Sequence, residues 1–555
     1  MRALIILTLV AVVALPFAFR PARTVAAAAD DTVVIITPHN EAIRHEFTRG
    51  FAEWYRAKTG RSVRIDWRMV GGTSEIARFL EGEYVSAFEL HWTRTLGKTW
   101  SAEVQAGFQN GRLAADAPAA AKEARAAFLA SEVGCGIDVF FGGGTYDFER
   151  QAAAGRLVDS GLLRARPEWF RDDTIPEIFG GERFWRADGL WLGTVLSSYG
   201  MIFNRDSLAR LGVAREPAQW EDMADPRLIG EVALADPTKS GSVAKAFENV
   251  IQQQMQRRLK TLEREQPNAD AKAREAQAVR EGWAEGMRLL QRIGANARYF
   301  TDTSQKPPID VATGNCAIGL CIDFYGRQQQ EAVRRRTEMP AGERATGATP
   351  GRERLGYVSP AGGSVASADP VALMRGAKNR AAALAFIEYT VAMEGQKLWN
   401  FRPGTPGGPE RFPLRRLPVR RDFFAQPEWS KWRSDPEESP YAQTEPLVYR
   451  EAWTGRIFRE MAFVIRVMCQ DTHVELKRAW TAVNAAPEPR RAAALAALQE
   501  ISAVSHERVT GEVRARLGSR DKVDEVRLAR ELGEWFRANY ARAEAIARGD
   551  SAGGK

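Results

Sequence analysis

Four short polar turns carry the residues whose types and spacing indicate chemistry. Each turn combines glycine, serine or threonine just after a predicted strand and just before a predicted helix, and together they span residues 37–40, 71–75, 142–145 and 237–242. Glycine lets the backbone approach a ligand, while unpaired N–H groups of the first helical turn and a hydroxyl group point outward. Helix starts of this kind bind anions.

Ordinary helix capping also explains any one of these turns, because serine and threonine accept hydrogen bonds from the first helical N–H groups. Four of them exceed what capping needs, and ligand sites in α/β proteins collect at the carboxyl ends of strands. The turns therefore indicate a ligand-binding site, with candidate residues Thr73, Ser74, Gly143, Thr145, Thr238, Ser240 and Gly241.

The common signatures of catalysis are missing from the sequence. It has no G-x-S-x-G or H-E-x-x-H motif, and Gly97-Lys98-Thr99 lacks the glycine five positions earlier that a phosphate-binding loop requires. The glycines at 142–144 are not followed by the third glycine of a dinucleotide-binding fingerprint, because Asp147 stands there. We therefore expect a binding protein with no catalytic residue and no cofactor.

Two alternating α/β blocks position the turns. In the first block, a strand at 32–37, a helix at 41–58 and a strand at 63–70 predict a β-α-β unit with a parallel sheet. The second block has strands at 231–235 and 317–322 with a charged helical hairpin, 243–293, between them. Glycine and proline become rare after about residue 444, where the periodicity predicts three amphipathic helices at 445–485, 488–517 and 523–547.

Composition excludes several other classes. The 555 residues include 45% hydrophobic residues and 15 tryptophans, which predicts packed domains. Net charge is +8, but the basic residues are interleaved with 70 acidic ones and form no stripe with aromatic residues, so we expect no nucleic-acid partner. The four cysteines are too few for a disulfide scaffold, and no histidine falls at zinc spacing from a cysteine pair.

The first 29 residues resemble a secretory signal peptide. Arg2 provides a positive start, residues 3–19 are almost wholly apolar, and alanines at 26–29 provide a cleavage region. We therefore expect the protein in the periplasm. The alternative is an uncleaved leader that anchors the protein to the inner membrane, which a 17-residue apolar run with Pro16 supports less well.

Five motifs in order resemble the type II periplasmic binding proteins of the ferric-ion importer group. They are MIFNRDSL at 201–208, WEDMADPRLIGE at 220–231, ADPTKSGS at 235–242, GNCAIGL at 314–320 and AKNRAAALAFIEY at 377–389. With the first strand, the resemblance covers about residues 32–400. It implies an α/β protein of two lobes that close on a ligand and then dock on the membrane permease of an ABC importer.

The resemblance also implies domain limits. We expect lobe 1 at 31–192 plus 355–420, and lobe 2 at 193–354 with the hairpin 243–293 as an insertion, with crossings near 192–198 and 355–359. The helices of 444–548 form a C-terminal extension. They cap the first lobe or else mediate dimerisation, and we expect capping and a monomer.

The ligand is predicted only by class. Iron-binding members of the group use a histidine after the first strand and two adjacent tyrosines in the second lobe; here His39 and Tyr325 match, while Phe324 replaces the other tyrosine. Losing one phenolate weakens a site for Fe³⁺, although Asp323 offers an oxygen. Two ligands stay open: an organic or phosphate anion, or ferric ion with a synergistic anion, in which case His39 and Tyr325 bind the metal.

A different partner is also compatible with this fold. A periplasmic sensor subunit would pass the state of its ligand site to a signalling receptor instead of a permease. The sequence contains nothing that separates the two roles.

Overall fold

The computed structural model describes residues 29–338, 353–442, 446–519, 521 and 523–550. The predicted signal peptide, 1–29, lies outside the described residues apart from its last position. Within the described ranges, no helix has both the length and the apolar character that crossing a membrane requires.

The strands of the described residues form two main sheets and one small hairpin. In chain order they are β1 (Asp31–Ile36), β2 (Val63–Arg68), β3 (Val139–Phe141), β4 (Leu157–Val158), β5 (Ile178–Phe179), β6 (Glu182–Arg183), β7 (Leu192–Ser197), β8 (Tyr199–Asn204), β9 (Val232–Ala235), β10 (Ala297–Thr301), β11 (Ile318–Ile322), β12 (Leu355–Val358), β13 (Ser367–Met374) and β14 (Leu417–Pro418).

The first sheet has the order β14-β7-β13-β3-β1-β2, and β4 pairs with β13. Strand β1 runs parallel to β2 and β3, as the predicted β-α-β unit requires, while β13 runs antiparallel to β3 and β7. The second sheet has the order β10-β9-β11-β8-β12, in which β9 is parallel to β10 and β11. Strand β8 is antiparallel to both β11 and β12. Two α/β lobes result.

The α-helices of the described residues connect these strands and build the C-terminal tail, which begins after residue 450. They are α1 (Glu41–Thr59), α2 (Thr73–Leu90), α3 (Ala102–Phe108), α4 (Ala119–Ala130), α5 (Thr145–Ala154), α6 (Leu162–Ala165), α7 (Arg205–Arg210), α8 (Gly241–Glu265), α9 (Ala271–Ala295), α10 (Lys306–Ala312), α11 (Asp323–Glu338), α12 (Arg380–Val391), α13 (Met393–Asn400), α14 (Arg421–Phe424), α15 (Glu451–Thr454), α16 (Phe458–Ile465), α17 (His473–Ala485), α18 (Arg490–Leu498), α19 (His506–Arg508), α20 (Arg514–Leu517) and α21 (Val523–Arg548).

The chain passes between the lobes twice, at Ser198 between β7 and β8 and at 359–366 between β12 and β13. Residues 193–197, which we assigned to lobe 2, therefore lie in the first sheet, and residues 355–358, which we assigned to lobe 1, lie in the second. The strands on both sides of Ser198 are buried along their whole length. Periodicity cannot tell which sheet such a strand joins, because both of its faces are apolar.

The C-terminal helices belong to the second lobe, so our expectation that they cap the first lobe was wrong. Helices α16, α17, α18 and α21 share one continuous hydrophobic core with β8, β9, β11 and the α8–α9 hairpin. Polar contacts fix the same packing: Trp283 Nε1 donates to the carbonyl of Val504 (2.8 Å), and Trp480 Nε1 donates to Asn296 Oδ1 (2.9 Å). The hairpin therefore buries its apolar face against the C-terminal helices as well as against the sheet.

The predicted helix at 445–485 is broken into several pieces. Helices α15 and α16 are separated by the short turn Gly455–Ile457, and a π-helical segment, Arg466–Gln470, stands between α16 and α17. This segment brings Gln470 against the end of β9, where its Nε2 donates to Asp236 Oδ2 (3.2 Å).

Candidate functional site

The edge where the two lobes face each other is built from strand ends. In the first lobe, β1 ends before His39, β3 ends before Gly142, and β13 begins beside them because it is antiparallel to β3. In the second lobe, β9 ends before Asp236 and β11 ends before Asp323. The residues at this edge form two groups, one at the crossing strands and one between the polar turns.

The group at the crossing strands centres on Arg416, just before β14, whose side chain is only 1% exposed. Its Nη2 donates to Asp369 Oδ2 (2.6 Å) and to Ser197 Oγ (2.5 Å). Its Nη1 lies 3.2 Å from His39 Nε2. A single buried cation thus ties together three parts of the first lobe.

The same guanidinium reaches the second lobe through Phe324, and it also lies beside Trp399 of the first lobe. It lies 4.4 Å from the ring centre of Phe324 and 5.2 Å from that of Trp399. Cations stack on such rings because the ring face is electronegative, and the attraction is stronger away from water. Phe324 therefore takes part in a cation–π contact, for which a ring without a hydroxyl group is sufficient.

Burial and the neighbouring Arg416 determine the direction in which the pKa values of His39 and Asp369 are shifted. Burial lowers the pKa of His39, against the opposing effect of Asp369. Burial would raise the pKa of Asp369, but the charge of Arg416 and the hydrogen bond that it donates keep that pKa below the usual value. The site at neutral pH therefore contains a neutral imidazole, a carboxylate and a guanidinium.

Asp323, which we predicted to contact the ligand, forms its polar contacts with other residues of the protein. Its Oδ1 accepts the N–H of Phe324 (2.8 Å), and its Oδ2 lies 3.4 Å from Ser198 Oγ and 3.5 Å from Arg327 Nη2. The side chain is fully buried, and burial raises its pKa. Asp323 thus connects helix α11 to the crossing residue Ser198.

Tyr325 lies beside Phe324, with 4.1 Å between the ring centres. Burial raises the pKa of its phenol, which disfavours the phenolate that Fe³⁺ requires. The contact of His39 is with Arg416 rather than with a second-lobe tyrosine. Across the described ranges, no three His, Cys, Asp or Glu side chains are grouped so that they could hold a metal ion.

The second group lies where polar turns of the two lobes meet. A side-chain carbon on Gly143 would come within 2.5 Å of Thr73, and one on Gly72 would come within 2.8 Å of the carbonyl of Lys239. One on Gly241 would lie 3.5 Å from Asp147 Oδ2. The approaches at Gly143 and Gly72 need glycine, whereas the distance at Gly241 is an ordinary contact. The contacts of Gly72 and Gly241 bring the first-lobe turn 71–75 and the start of α5 against the second-lobe turn 237–242.

The hydroxyl groups of Thr238 and Ser240 in that second-lobe turn form hydrogen bonds with residues close to them in the sequence. Thr238 donates to Asp236 Oδ1 (2.6 Å), and Ser240 caps α8 by accepting the N–H of Val243 (3.4 Å). Ser74 and Thr145 are half-buried in the first turns of α2 and α5. Helix capping thus accounts for Ser240, and the turn at Asp236 accounts for Thr238.

Two functional candidates were missed by sequence reasoning. Arg416 stands in an irregular stretch without periodicity, and only its proximity to His39 reveals it. Asp147 appeared only as a missing glycine, yet it is 3% exposed at the start of α5, where burial raises its pKa to about 6. Beside it, the ring of Tyr146 lies 4.7 Å from that of Phe458 in the tail.

Comparison with known families finds a match for the middle part of the chain. Residues 136–409 match the family described as "Bacterial extracellular solute-binding protein". This part of the chain is similar to that family. The solute-binding match ends before Arg416 and before the C-terminal helices, so both lie outside the part that it covers.

Individual proteins that resemble this chain are distant. An uncharacterized protein of Haemophilus influenzae (strain Rd) is 27% identical over 266 residues, which cover 47% of this chain. The alignment covers 60% of that relative's own length, so the chain spans less than two thirds of it.

Several solved structures are similar at low identity. The periplasmic binding protein AfuA from Actinobacillus pleuropneumoniae, with exogenous fructose-6-phosphate bound, is 16% identical with a TM-score of 0.44, covering 81% of this chain and 97% of its own. Apo ferric ion-binding protein A from Pasteurella haemolytica is 13% identical with a TM-score of 0.44 (79% and 98%). Iron-bound HitA from Pseudomonas aeruginosa is 13% identical with a TM-score of 0.42 (78% and 99%).

Proposed function

We propose that the protein is a periplasmic solute-binding protein that captures a small organic or phosphate anion between its two lobes and delivers it to the permease of an ABC importer. The family match and the two lobes joined by two crossings support the binding role. The predicted leader supports export. We expect no turnover of any substrate, because the cleft residues hold one another in ion pairs and hydrogen bonds rather than presenting a nucleophile with a base.

The observation that favours an anion is a set of buried nitrogen atoms at the lobe junction without an acceptor among the described residues. They are Arg416 Nε, Arg327 Nη1 and His39 Nδ1. A guanidinium only donates, so the neutral imidazole of His39 accepts at Nε2 and carries its proton on Nδ1. A buried donor without an acceptor costs about 1–3 kcal/mol. An anion in the cleft removes that cost by supplying acceptor oxygens.

The same geometry opposes ferric ion as the ligand. Arg416 already places a permanent positive charge 3.2 Å from the His39 nitrogen that would bind the metal. A trivalent cation there would be repelled strongly in a site shielded from water. Phe324 adds no oxygen ligand, and binding iron would require both loss of the contact between His39 and Arg416 and ionisation of the buried phenol of Tyr325.

The two lobes give the anion a way to close the protein. Arg416 and His39 belong to the first lobe and Arg327 belongs to the second, so an anion that accepts from both sides binds the closed form better than the open form. A ligand shifts a conformational equilibrium only by such a difference in affinity. The closed form is then the one that the permease recognises.

Native mass spectrometry of the protein purified from its own periplasm tests this proposal. We expect an added mass that corresponds to a phosphorylated or carboxylated metabolite, and a rise in melting temperature with compounds of that class but not with ferric citrate. An added mass of one iron atom, or stabilisation by Fe³⁺ that Arg416→Lys does not change, would refute the anion proposal. A control variant, Arg164→Lys, alters only a surface ion pair with Asp159.

A further inference from the structure

A cavity of about 420 Å³ lies in the second lobe, between the edge of its sheet and the C-terminal helices. Its walls come from the ends of β9 and β10, the start of α10 and the π-helical segment. The lining residues are Asp236, Lys239, Phe300, Thr301, Asp302, Thr303, Lys306 and Gln470. The cavity has the size of known small-molecule sites.

The sheet and the tail build this cavity together. Gln470 is fixed because its Nε2 donates to Asp236 Oδ2, whose other oxygen accepts from the N–H of Thr238 (2.7 Å). The Oε1 of Gln470 is buried and has no donor among the described residues. Gln470 thus lines the cavity as a side chain held in place through its Nε2.

The charges of the cavity are balanced. Lys239 and Asp302 are exposed, and neither side chain forms an ion pair within the described ranges. Lys306 is paired with Asp310 through a short contact. The cavity therefore offers one free ammonium group and one free carboxylate, which favours a ligand that both donates and accepts hydrogen bonds over a ligand with a large net charge.

One wall is aromatic. The half-buried ring of Phe300 lines the cavity and is held from behind by His473, with ring centres 5.5 Å apart at 89°. An aromatic face beside carboxylate, ammonium and amide groups matches the two sides of a sugar ring, whose C–H face is apolar and whose hydroxyl groups donate and accept.

We propose that this cavity is a binding site for a neutral polyhydroxylated molecule of monosaccharide or polyol size, formed jointly by the second lobe and the C-terminal helices. The site is separate from the Arg416 group, so it extends beyond the anion-binding role. Lys239 lines the cavity, and its carbonyl approaches Gly72 of the first lobe. We therefore expect a molecule bound in the cavity to affect the contact between the lobes through this residue.

Isothermal titration of the mature protein with D-glucose, D-fructose, D-mannose and sorbitol tests the proposal, with glycine betaine and inorganic phosphate as probes of zwitterions and anions. We expect at least one of the neutral probes to bind. Asp302→Asn and Phe300→Leu each lower its affinity by about tenfold or more. Asp116→Asn, at an exposed aspartate of the first lobe, leaves the affinity unchanged.

Three results would overturn this inference: no neutral probe binds, only betaine or phosphate binds, or the neutral probe binds both cavity variants with unchanged affinity. Circular dichroism melts of the variants check that they are folded. Arg416→Lys separates the two proposals, because it weakens anion binding in the cleft and leaves binding of the neutral probe intact. Loss of the neutral probe in Arg416→Lys alone would place that molecule in the cleft and refute the cavity site.

Discussion

The guanidinium of Arg416 lies 4.4 Å from the ring centre of Phe324, so a cation of the first lobe stacks on an aromatic ring of the second. The position at which an iron-binding relative would carry a tyrosine thus contributes here to a contact between the lobes. The pair also places the positive charge of Arg416 between Phe324 and His39.

Phe324→Tyr is expected to leave the protein without iron binding. The variant introduces a second phenol beside Tyr325, but Arg416 still contacts the Nε2 of His39 and still repels Fe³⁺. Titration with ferric citrate should therefore produce no visible tyrosinate–iron absorption. Appearance of that band in Phe324→Tyr, with none in the unmodified protein, would show that only the missing phenol prevents iron binding.

Arg416→Lys should weaken binding of the anion by about 10- to 100-fold. Lysine keeps the charge but not the planar fork that contacts Asp369 and Ser197 at once while leaving Nε for a ligand. Calorimetric titration with the anion identified by mass spectrometry measures the change. Equal affinity in Arg416→Lys and in the surface variant Arg164→Lys would exclude Arg416 from the site.

Asp147 should make the protein less stable as the pH rises. Burial raises its pKa to about 6, while Arg150 and Arg78 act in the opposite direction. Because the folded-state pKa lies above the value of about 4 in the unfolded chain, the stabilising effect is complete below about pH 4 and is lost as the pH rises through about 6. We expect Asp147→Asn to remove this loss and to raise the free energy of unfolding at pH 7 by up to about 3 kcal/mol.

Urea denaturation between pH 4 and pH 8 measures the effect of Asp147, with Asp116→Asn as the matched control. The two variants carry the same chemical change, one at a buried position between the lobes and one at an exposed position. Parallel pH profiles of Asp147→Asn and the unmodified protein would contradict the prediction.

Lys245→Met should be strongly destabilising. The Lys245 ammonium lies 2.6 Å from Glu182 Oε1 and 2.8 Å from Glu248 Oε2, and both carboxylates are buried. Removing the cation leaves two buried carboxylates unpaired, which costs about 3–5 kcal/mol. Chemical denaturation of the purified variant measures the loss.

A second substitution tests the cause of that loss. Glu248 keeps hydrogen bonds from Tyr449 (3.1 Å) and Thr454 (2.6 Å), so Glu182 is the carboxylate that depends most on Lys245. We therefore expect Lys245→Met combined with Glu182→Gln to regain part of the stability. A double variant as unstable as the sum of both single variants would show that the charges do not interact.

Removal of the tail from residue 451 onward should unfold the second lobe while leaving the first folded. The tail shares one core with β8, β9, β11 and the α8–α9 hairpin, whereas the first lobe has its own clusters. Limited proteolysis of the truncated protein should leave protected fragments of residues 31–192 and degrade 199–338. Equal protection of both regions would show that the second lobe is independent of its tail.

The sequence by itself determined the α/β class and the approximate elements of both lobes. The runs at 32–37 and 317–322 are short and largely apolar, which favours buried strands. The turns at 71–75 and 142–145 begin with glycines, which permit a close approach of the backbone. Five motifs in order were sufficient to indicate the family, because their spacing is a property of the chain and needs no tertiary contact.

Only the tertiary structure decided which residues meet. Arg416 is 377 residues away from His39 in the sequence, and no periodicity marks it, so its contact with His39 and Phe324 depends on the packing of β14 against β7. The tail is amphipathic in sequence, but which lobe covers its apolar face depends on the complementary surface that the α8–α9 hairpin presents. Burial likewise gives Asp147 its raised pKa, since the same carboxylate in water would titrate normally.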